Sequence, residues 1–348
     1  MALEEKYRMS TAASPRKKLR NDGIIAFVCN ETDEGFRLMP EHLRDRVVVS
    51  NDPDRFDPSK VVCVVWKPPG KAQTVEELFK RITKETGRPP VWFHSFFAGV
   101  DGLGDFLKKL DTTQTRTTNG RGAFSSSLAE FSLAAMLHFN KQIPRFQQNF
   151  KDRRWDAFDM DVIQGKTVGF LGWGSIAQST AKLLQPWGVK MIAVKRKAEG
   201  TVSPEGVHFV SKLDCAAHAD FIINALPSTP ETRNYVNTEF ISKMKKTSVF
   251  INVGRGTTVE EDPLADALRD GRIAGAALDV FQKEPLDPNH RFYSTPNMLL
   301  SNHNADHTLD YIELGWKVFE ENYEWFSNDF TAIPGSTTPT LFDPKTGY

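Results

Sequence analysis

Residues 167–177 read TVGFLGWGSIA, a short apolar run broken by glycines, and the helix-forming stretch SIAQSTAKLLQPW (175–187) follows until Gly188 can end it. β-Branched and aromatic residues favour a strand at 167–171, and the glycines that follow mark a strand-to-helix turn. Gly172 permits the tight turn, Gly174 leaves room for a pyrophosphate against bare backbone, and Ala177 is small enough for close packing of helix on strand. The first N–H groups of that helix, those of Ser175 and Ile176, have no partner within it and carry its positive partial charge, which suits an anion. The stretch therefore predicts a dinucleotide site at the head of a doubly wound parallel sheet.

The same alternation continues on both sides. The segments KTVGFLG, VKMIAVK, ADFIINAL, TSVFINV and AGAALDV read as strands with helical segments between most of them, and IIAFVC, RVVVS, VVCVVW and VWFHSFF form an earlier series. Between the two, NGRGAFSSS (119–127) reads as a loop ending in a serine cap, and LAEFSLAAMLHFNKQI (128–143) as the helix it starts. Near the C-terminus Leu309, Ile312, Trp316, Phe319, Tyr323 and Phe326 recur at steps of three and four, an apolar stripe expected to pack on the first domain. A chain of 348 residues has material for two domains. The expected division is a tail at 1–22, a first domain at 23–125, the dinucleotide domain at 126–306, and a return of 307–348 to the first.

The second strand of a dinucleotide unit normally ends in a carboxylate that bonds the adenosine ribose. Here it ends Val194-Lys195-Arg196-Lys197, and no carboxylate appears until Glu199. A guanidinium and two ammonium groups suit a 2′-phosphate that a carboxylate would repel. NADP(H) is the expected cofactor, and NAD(H) remains open with the ribose held in another way.

Three further segments carry side chains that chemistry can use. The strand TSVFINV runs into Gly254-Arg255-Gly256, which sets a permanent cation at the sheet edge where ligands bind. LDVFQKEPL brings Asp279 and Glu284, and MLLSNHNADHT brings His303. An arginine can pair with a carboxylate and polarise a neighbouring carbonyl. A histidine can pass a proton near neutral pH, and a glutamate on its other ring nitrogen would favour the protonated form.

In their order, FAGVD, the AEF helix, GxGxxA, LPSTPET, INVGRG, LDVFxxEP and the His303 segment resemble the D-isomer-specific 2-hydroxyacid dehydrogenases, in particular the glyoxylate/hydroxypyruvate reductase branch. The resemblance runs from about Phe97 to Thr308, and implies a Rossmann dinucleotide domain inserted into a flavodoxin-like substrate domain, with the cleft between them. It further implies Arg255, Glu284 and His303 as the catalytic set, the backbone of Ala98 and Gly99 as partners of Arg255 in binding a carboxylate, and Pro227 and Asp279 as lining the nicotinamide pocket. A homodimer joined through the helix near Ser127 is typical of the family. The chain departs from the family in having Asp306 where a small residue is common, which leaves two readings: a cap on the last helix, or a charge acting on His303.

Equal numbers of basic and acidic residues, 44 each, give no global field for nucleic acid or an anionic membrane surface. No apolar run has the length of a membrane span. Cys29, Cys63 and Cys215 lack metal-ligand spacing, so no metal is expected, and reduced thiols fit a cytoplasmic protein. The tail, with Arg16, Lys17, Lys18 and Arg20, reads as solvated and disordered, and Glu4 and Glu5 argue against a mitochondrial presequence. Trp66, Trp92, Phe96 and Phe97 read either as pocket or as core, while His138 and His307 read as structural. The expected activity is reduction of a small 2-oxo acid with NADPH. Two rivals stay open: an NAD-linked oxidation of a D-2-hydroxy acid, and a dinucleotide-sensing interaction protein.

Overall fold

The computed structural model describes residues 23–331, 338–345 and 347, so the expectations for the tail fall outside the described residues. The chain divides into two compact units, one from the chain up to Ala123 and from Leu309 onward, the other Phe124–Thr308. These junctions differ by two residues from the boundaries read from the sequence.

In the first unit, β1 (Ile24–Val28), β2 (Val47–Val49), β3 (Val61–Trp66), β4 (Trp92–Ser95) and β5 (Arg116–Asn119) form a parallel sheet in the order β2-β1-β3-β4-β5. Short helices α1 (Glu34–Arg37) and α3 (Asp105–Lys108) accompany the longer α2 (Ala72–Thr86). Alternation along each strand gives the sheet two apolar faces. Ile25 and Phe27 join the core that includes Ile312, Trp316 and Phe319, whereas Ala26 and Val28 join Val75, Leu78 and Ile82 of α2. The last helix of the chain, Tyr311–Ser327, is thus part of this unit's core, and Leu309, the first residue of the expected stripe, is fully exposed. Trp66, Trp92 and Phe96 are core side chains, and only Phe97 of that aromatic set is half-buried.

The second unit starts with α4 (Ser125–Asn140) and α5 (Ile143–Lys151). The expected serine cap is corrected here: Ser125, Ser126 and Ser127 are all helical, the cap position is Phe124, and Ser127 Oγ instead donates to the carbonyl of Ala305. Its sheet comprises β6 (Thr167–Leu171), β7 (Lys190–Val194), β8 (His208–Phe209), β9 (Phe221–Asn224), β10 (Val249–Asn252), β11 (Gly275–Leu278) and β12 (Met298–Leu300), all parallel. The helices are α6 (Ser175–Leu184), α7 (Lys212–His218), α8 (Thr238–Lys243) and α9 (Glu261–Arg269), before α10 (Tyr311–Ser327) closes the chain in the first unit. The strand order β12-β11-β10-β9-β6-β7-β8 reverses direction at β6 and β9, which makes the crevice beyond their carboxyl ends the place for a ligand.

All three cysteines are free and buried. Burial pushes the thiols of Cys29 and Cys215 up to about 12 and that of Cys63 well above its ordinary value. Among the described residues no helix is long and apolar enough to cross a membrane, and no cluster of three or more metal-ligating side chains occurs.

Candidate active site

The turn after β6 is shaped by what it lacks. Gly172 has φ +91°, a conformation that side chains disfavour, and its N–H bonds the carbonyl of Val194 at 3.1 Å, which joins the ends of β6 and β7. A Cβ on Gly174 would point into open space. As the cap residue of α6, Gly174 offers no side chain, so among the described residues nothing accepts from the first N–H groups of this ten-residue helix, including those of Ser175 and Ile176. Ala177 is fully buried against the sheet. Bare backbone, open space and unspent N–H donors together fit a dinucleotide pyrophosphate.

Lys195, Arg196 and Lys197 follow directly and are all exposed. Lys195 Nζ lies 5.4 Å above the ring of Phe209, and Arg196 is close enough to Glu231 to help hold that carboxyl below its ordinary value, after Glu231's own backbone and Thr229. The residues present at this strand end can take a phosphate on the ribose.

Across the crevice, the carboxyl ends of β9, β10 and β11 carry the other candidates. Pro227 lies in the loop after β9, where its carbonyl accepts from Thr232 Oγ1, and Ser228 takes a 2.8 Å hydrogen bond from Thr257 Oγ1. Arg255 follows β10 with extended backbone, and its Nη1 donates to the carbonyl of Gly254 at 2.9 Å. Its flanking glycines are set by packing, because a Cβ on Gly256 would fall 1.8 Å from the carbonyl carbon of Phe281, and one on Gly254 2.5 Å from the carbonyl oxygen of Leu226.

Asp279 follows β11 and is 2% exposed. Its Oδ1 accepts from Ser301 Oγ at 2.7 Å and from the N–H groups of Asn304 and Ala305 at 3.0 and 3.1 Å, while its carbonyl accepts from the N–H of His303 at 2.8 Å. The loop bearing His303 is thereby tied to the end of β11. His303 itself has φ +52° and is half-buried, with Nδ1 2.6 Å from Glu284 Oε2. Glu284 Oε1 in turn accepts from the N–H of Phe281 at 2.8 Å.

This pairing shifts both groups. The hydrogen bond to Glu284 raises the His303 pKa above the ordinary imidazole value, against burial and the cation of Arg255. Burial pushes the Glu284 carboxyl up, but His303 and the N–H of Phe281 outweigh it and hold the carboxyl below its ordinary value. With Nδ1 committed to Glu284, Nε2 is the ring atom left for a substrate. The fields of Arg255 on both groups place its charge near them.

Asp306 does not cap the last helix, which begins at Tyr311 with Asp310 in the cap position. Its Oδ1 is buried, makes no hydrogen bond among the described residues and lies 3.7 Å from His307 Nε2; burial holds the carboxyl above its ordinary value. In the first unit, Ala98 and Gly99 follow β4. Their carbonyls accept from Asn119 Nδ2 at 2.9 Å and Ser95 Oγ at 3.2 Å, and their N–H groups have no acceptor among the described residues.

Residues 133–305 match the family model described as D-isomer specific 2-hydroxyacid dehydrogenase, NAD binding domain. The glyoxylate reductase/hydroxypyruvate reductase of Homo sapiens is 32% identical over 232 residues, 64% of this chain and 70% of the human protein. The chain belongs to the D-isomer-specific 2-hydroxyacid dehydrogenase family.

A glyoxylate reductase of Thermofilum pendens is 32% identical over 201 residues, 56% of this chain; the match covers 59% of that protein, under two thirds of its length. A D-isomer-specific 2-hydroxyacid dehydrogenase family protein of Aeromonas salmonicida is structurally similar, with a TM-score of 0.71, 25% identity, and coverage of 91% of this chain and 99% of that one. As in this dehydrogenase family, the second unit is an NAD-binding domain whose ligand is a nicotinamide dinucleotide.

The sequence motifs had indicated each catalytic candidate. They had not indicated Asn224, Asn252 and Thr258, buried polar residues around the base of Arg255. The sequence signal for the two asparagines is a polar residue closing each of two otherwise apolar strands, FIIN and VFIN, and Thr258 carries no such signal.

Proposed function

We propose that this dehydrogenase reduces a small 2-oxo acid of the glyoxylate or hydroxypyruvate class to the D-2-hydroxy acid, with NADPH as reductant. The observation that carries the reading is the Glu284–His303 pair at 2.6 Å, within the field of Arg255, on the ligand edge of a dinucleotide-binding sheet. The names of the human and Thermofilum relatives support the substrate class.

A reduced nicotinamide dinucleotide, its pyrophosphate held at the Gly172 turn and its ring beside Pro227 and Asp279, would supply the hydride that the substrate carbonyl carbon takes up. Arg255 pairs with the substrate carboxylate and draws charge toward the carbonyl oxygen. His303 holds its proton on Nε2 and delivers it to that oxygen, while Glu284 keeps the ring oriented and favours the charged form. In the opposite direction neutral His303 takes the proton back.

Lys195, Arg196 and Lys197 support NADPH over NADH, since the strand end lacks the carboxylate that would repel a 2′-phosphate. Phe150 and Trp155, 85% and 99% exposed, support a homodimer by offering apolar surface that a second copy can cover. Three free, buried cysteines suit a reducing, cytoplasmic setting.

The test is a set of initial rates with NADPH and with NADH against glyoxylate, hydroxypyruvate and an aromatic 2-oxo acid. NADPH should be preferred, and Arg196→Ser should weaken its binding about ten- to hundredfold, the weight of a charge-assisted contact, while sparing NADH. A parent enzyme that prefers NADH would reduce 194–197 to a surface turn. Tight binding of nucleotide without turnover would favour a sensor.

A further inference from the structure

Asn224 closes β9, Asn252 closes β10, and Thr258 ends the single 3-10 turn Gly256–Thr258 that follows Arg255; they are 0%, 1% and 0% exposed. No step of the proposed reaction uses them. Their polar atoms nonetheless form one connected set. Asn224 Nδ2 donates to Asn252 Oδ1 at 2.9 Å and to Thr258 Oγ1 at 2.7 Å. Thr258 Oγ1 and Asn252 Nδ2 both donate to the carbonyl of Arg255, at 2.6 and 3.3 Å. Asn252 Oδ1 also accepts from the N–H of Gly254 at 3.1 Å, and Asn224 Oδ1 from that of Leu226 at 3.3 Å.

Buried polar side chains cost stability unless every partner is met, so apolar residues of the same shape would fill these positions without that demand. What an amide and a hydroxyl add is direction. Here the directions converge on the main chain on both sides of one residue: the N–H before Arg255 and the carbonyl of Arg255 itself. An arginine side chain has many rotamers, and a guanidinium can meet a small carboxylate in a fixed pose only if its Cα is fixed first.

We infer that Asn224, Asn252 and Thr258 act together as a clamp on the backbone of Arg255, and so are positioning residues for binding of the 2-oxo acid carboxylate. This rests on the reaction proposed above. The clamp sets where the guanidinium starts from, and the Gly172 turn, built from other residues, holds the dinucleotide without it.

The experiment uses Thr258→Val, which keeps the branched shape and removes the hydroxyl, and Asn252→Asp, which keeps the acceptor and removes the donor to Arg255. In both, KM for glyoxylate should rise about ten- to hundredfold, the usual scale for a displaced binding group, with kcat changed less and NADPH affinity within about twofold of the parent. Thr258→Ser, which restores the hydroxyl, should restore KM. A lowered melting temperature with unchanged KM would make the network merely structural and overturn the inference. Hydrogen exchange is read in parallel on the parent and Thr258→Ser, and on whichever of the other two folds. A peptide spanning 249–258 should exchange faster in Thr258→Val or Asn252→Asp, and unchanged exchange overturns the clamp whether or not any 2-oxo acid is reduced. Failure of the parent to reduce any 2-oxo acid, with faster exchange still seen, would overturn the reaction and leave the clamp standing.

Discussion

The Gly172 turn and the Arg255 turn leave the same edge of one sheet, and both depend on glycine, yet they are built in opposite ways. At the first, a Cβ on Gly174 would meet nothing, among the described residues no side chain caps α6, and the donors that matter are main-chain N–H groups. At the second, a Cβ on Gly256 would strike the backbone of Phe281, and three buried polar side chains fasten the chain. A site for a large, many-contact ligand can be made by withholding atoms, because the ligand brings the acceptors. In the proposed reaction a small anion needs one cation in one place, and the buried network at the Arg255 turn is what would hold it there.

Breaking the chemical half of this comparison should give the largest effect. His303→Gln keeps the size of the ring's polar end and removes the proton donor, so kcat should fall by about 10² to 10⁴ while NADPH still binds, as titrated by nucleotide fluorescence. Near-parent turnover would remove His303 from its role. The two kinds of glycine should then separate in stability. Gly256→Ala forces backbone against backbone and should cost more than about 3 kcal/mol in denaturant unfolding. Gly174→Ser adds a side chain in open space at a cap position, so stability should stay within about 0.5 kcal/mol of the parent while nucleotide affinity drops. Equal losses of stability would erase the distinction.

The smallest expected change is a shift along the pH axis. Because Glu284 raises the His303 pKa, the proton-donor form persists above the ordinary imidazole range and the reductive rate should fall only as pH rises through the raised value. Glu284→Gln should move that limb toward lower pH, read from kcat/KM between about pH 5 and 9. Stability follows the same sign: the contribution of the paired imidazolium is complete below the ordinary imidazole pKa and is lost as pH rises through the raised one. Glu284, held below its ordinary value, contributes above the usual carboxylate range and loses that contribution as pH falls. An unshifted limb in Glu284→Gln would leave the glutamate an orienting role only.

The contrast also explains what the sequence made legible. Bare turns show as glycines at fixed spacing, so residues 172–177 and the strands around them could be read directly. Apolar strands and the Arg255, Glu284 and His303 segments were equally plain. The strand Arg116–Asn119 was missed because it is polar and yet buried; Thr117 Oγ1 bonds the carbonyl of Phe342, and Thr118 Oγ1 serves both Trp92 Nε1 and His94 Nδ1. The amides at 224 and 252 were missed for the same reason. A buried polar side chain makes sense only beside its partner, and partners here lie 28 and 34 residues apart along the chain. Serines 125–127 misled in the other direction, having good capping chemistry inside the first turn of a helix.

The three cysteines bear on how these questions can be asked. Each is buried, and each thiol is held far from its reactive anion, those of Cys29 and Cys215 near 12. Thiolates, and not thiols, attack maleimide and iodoacetamide, so the folded protein should react only slowly with either reagent. A single cysteine placed at an exposed position beside the Arg255 turn would therefore carry a fluorophore alone, and motion of that turn could be followed without first removing any native residue.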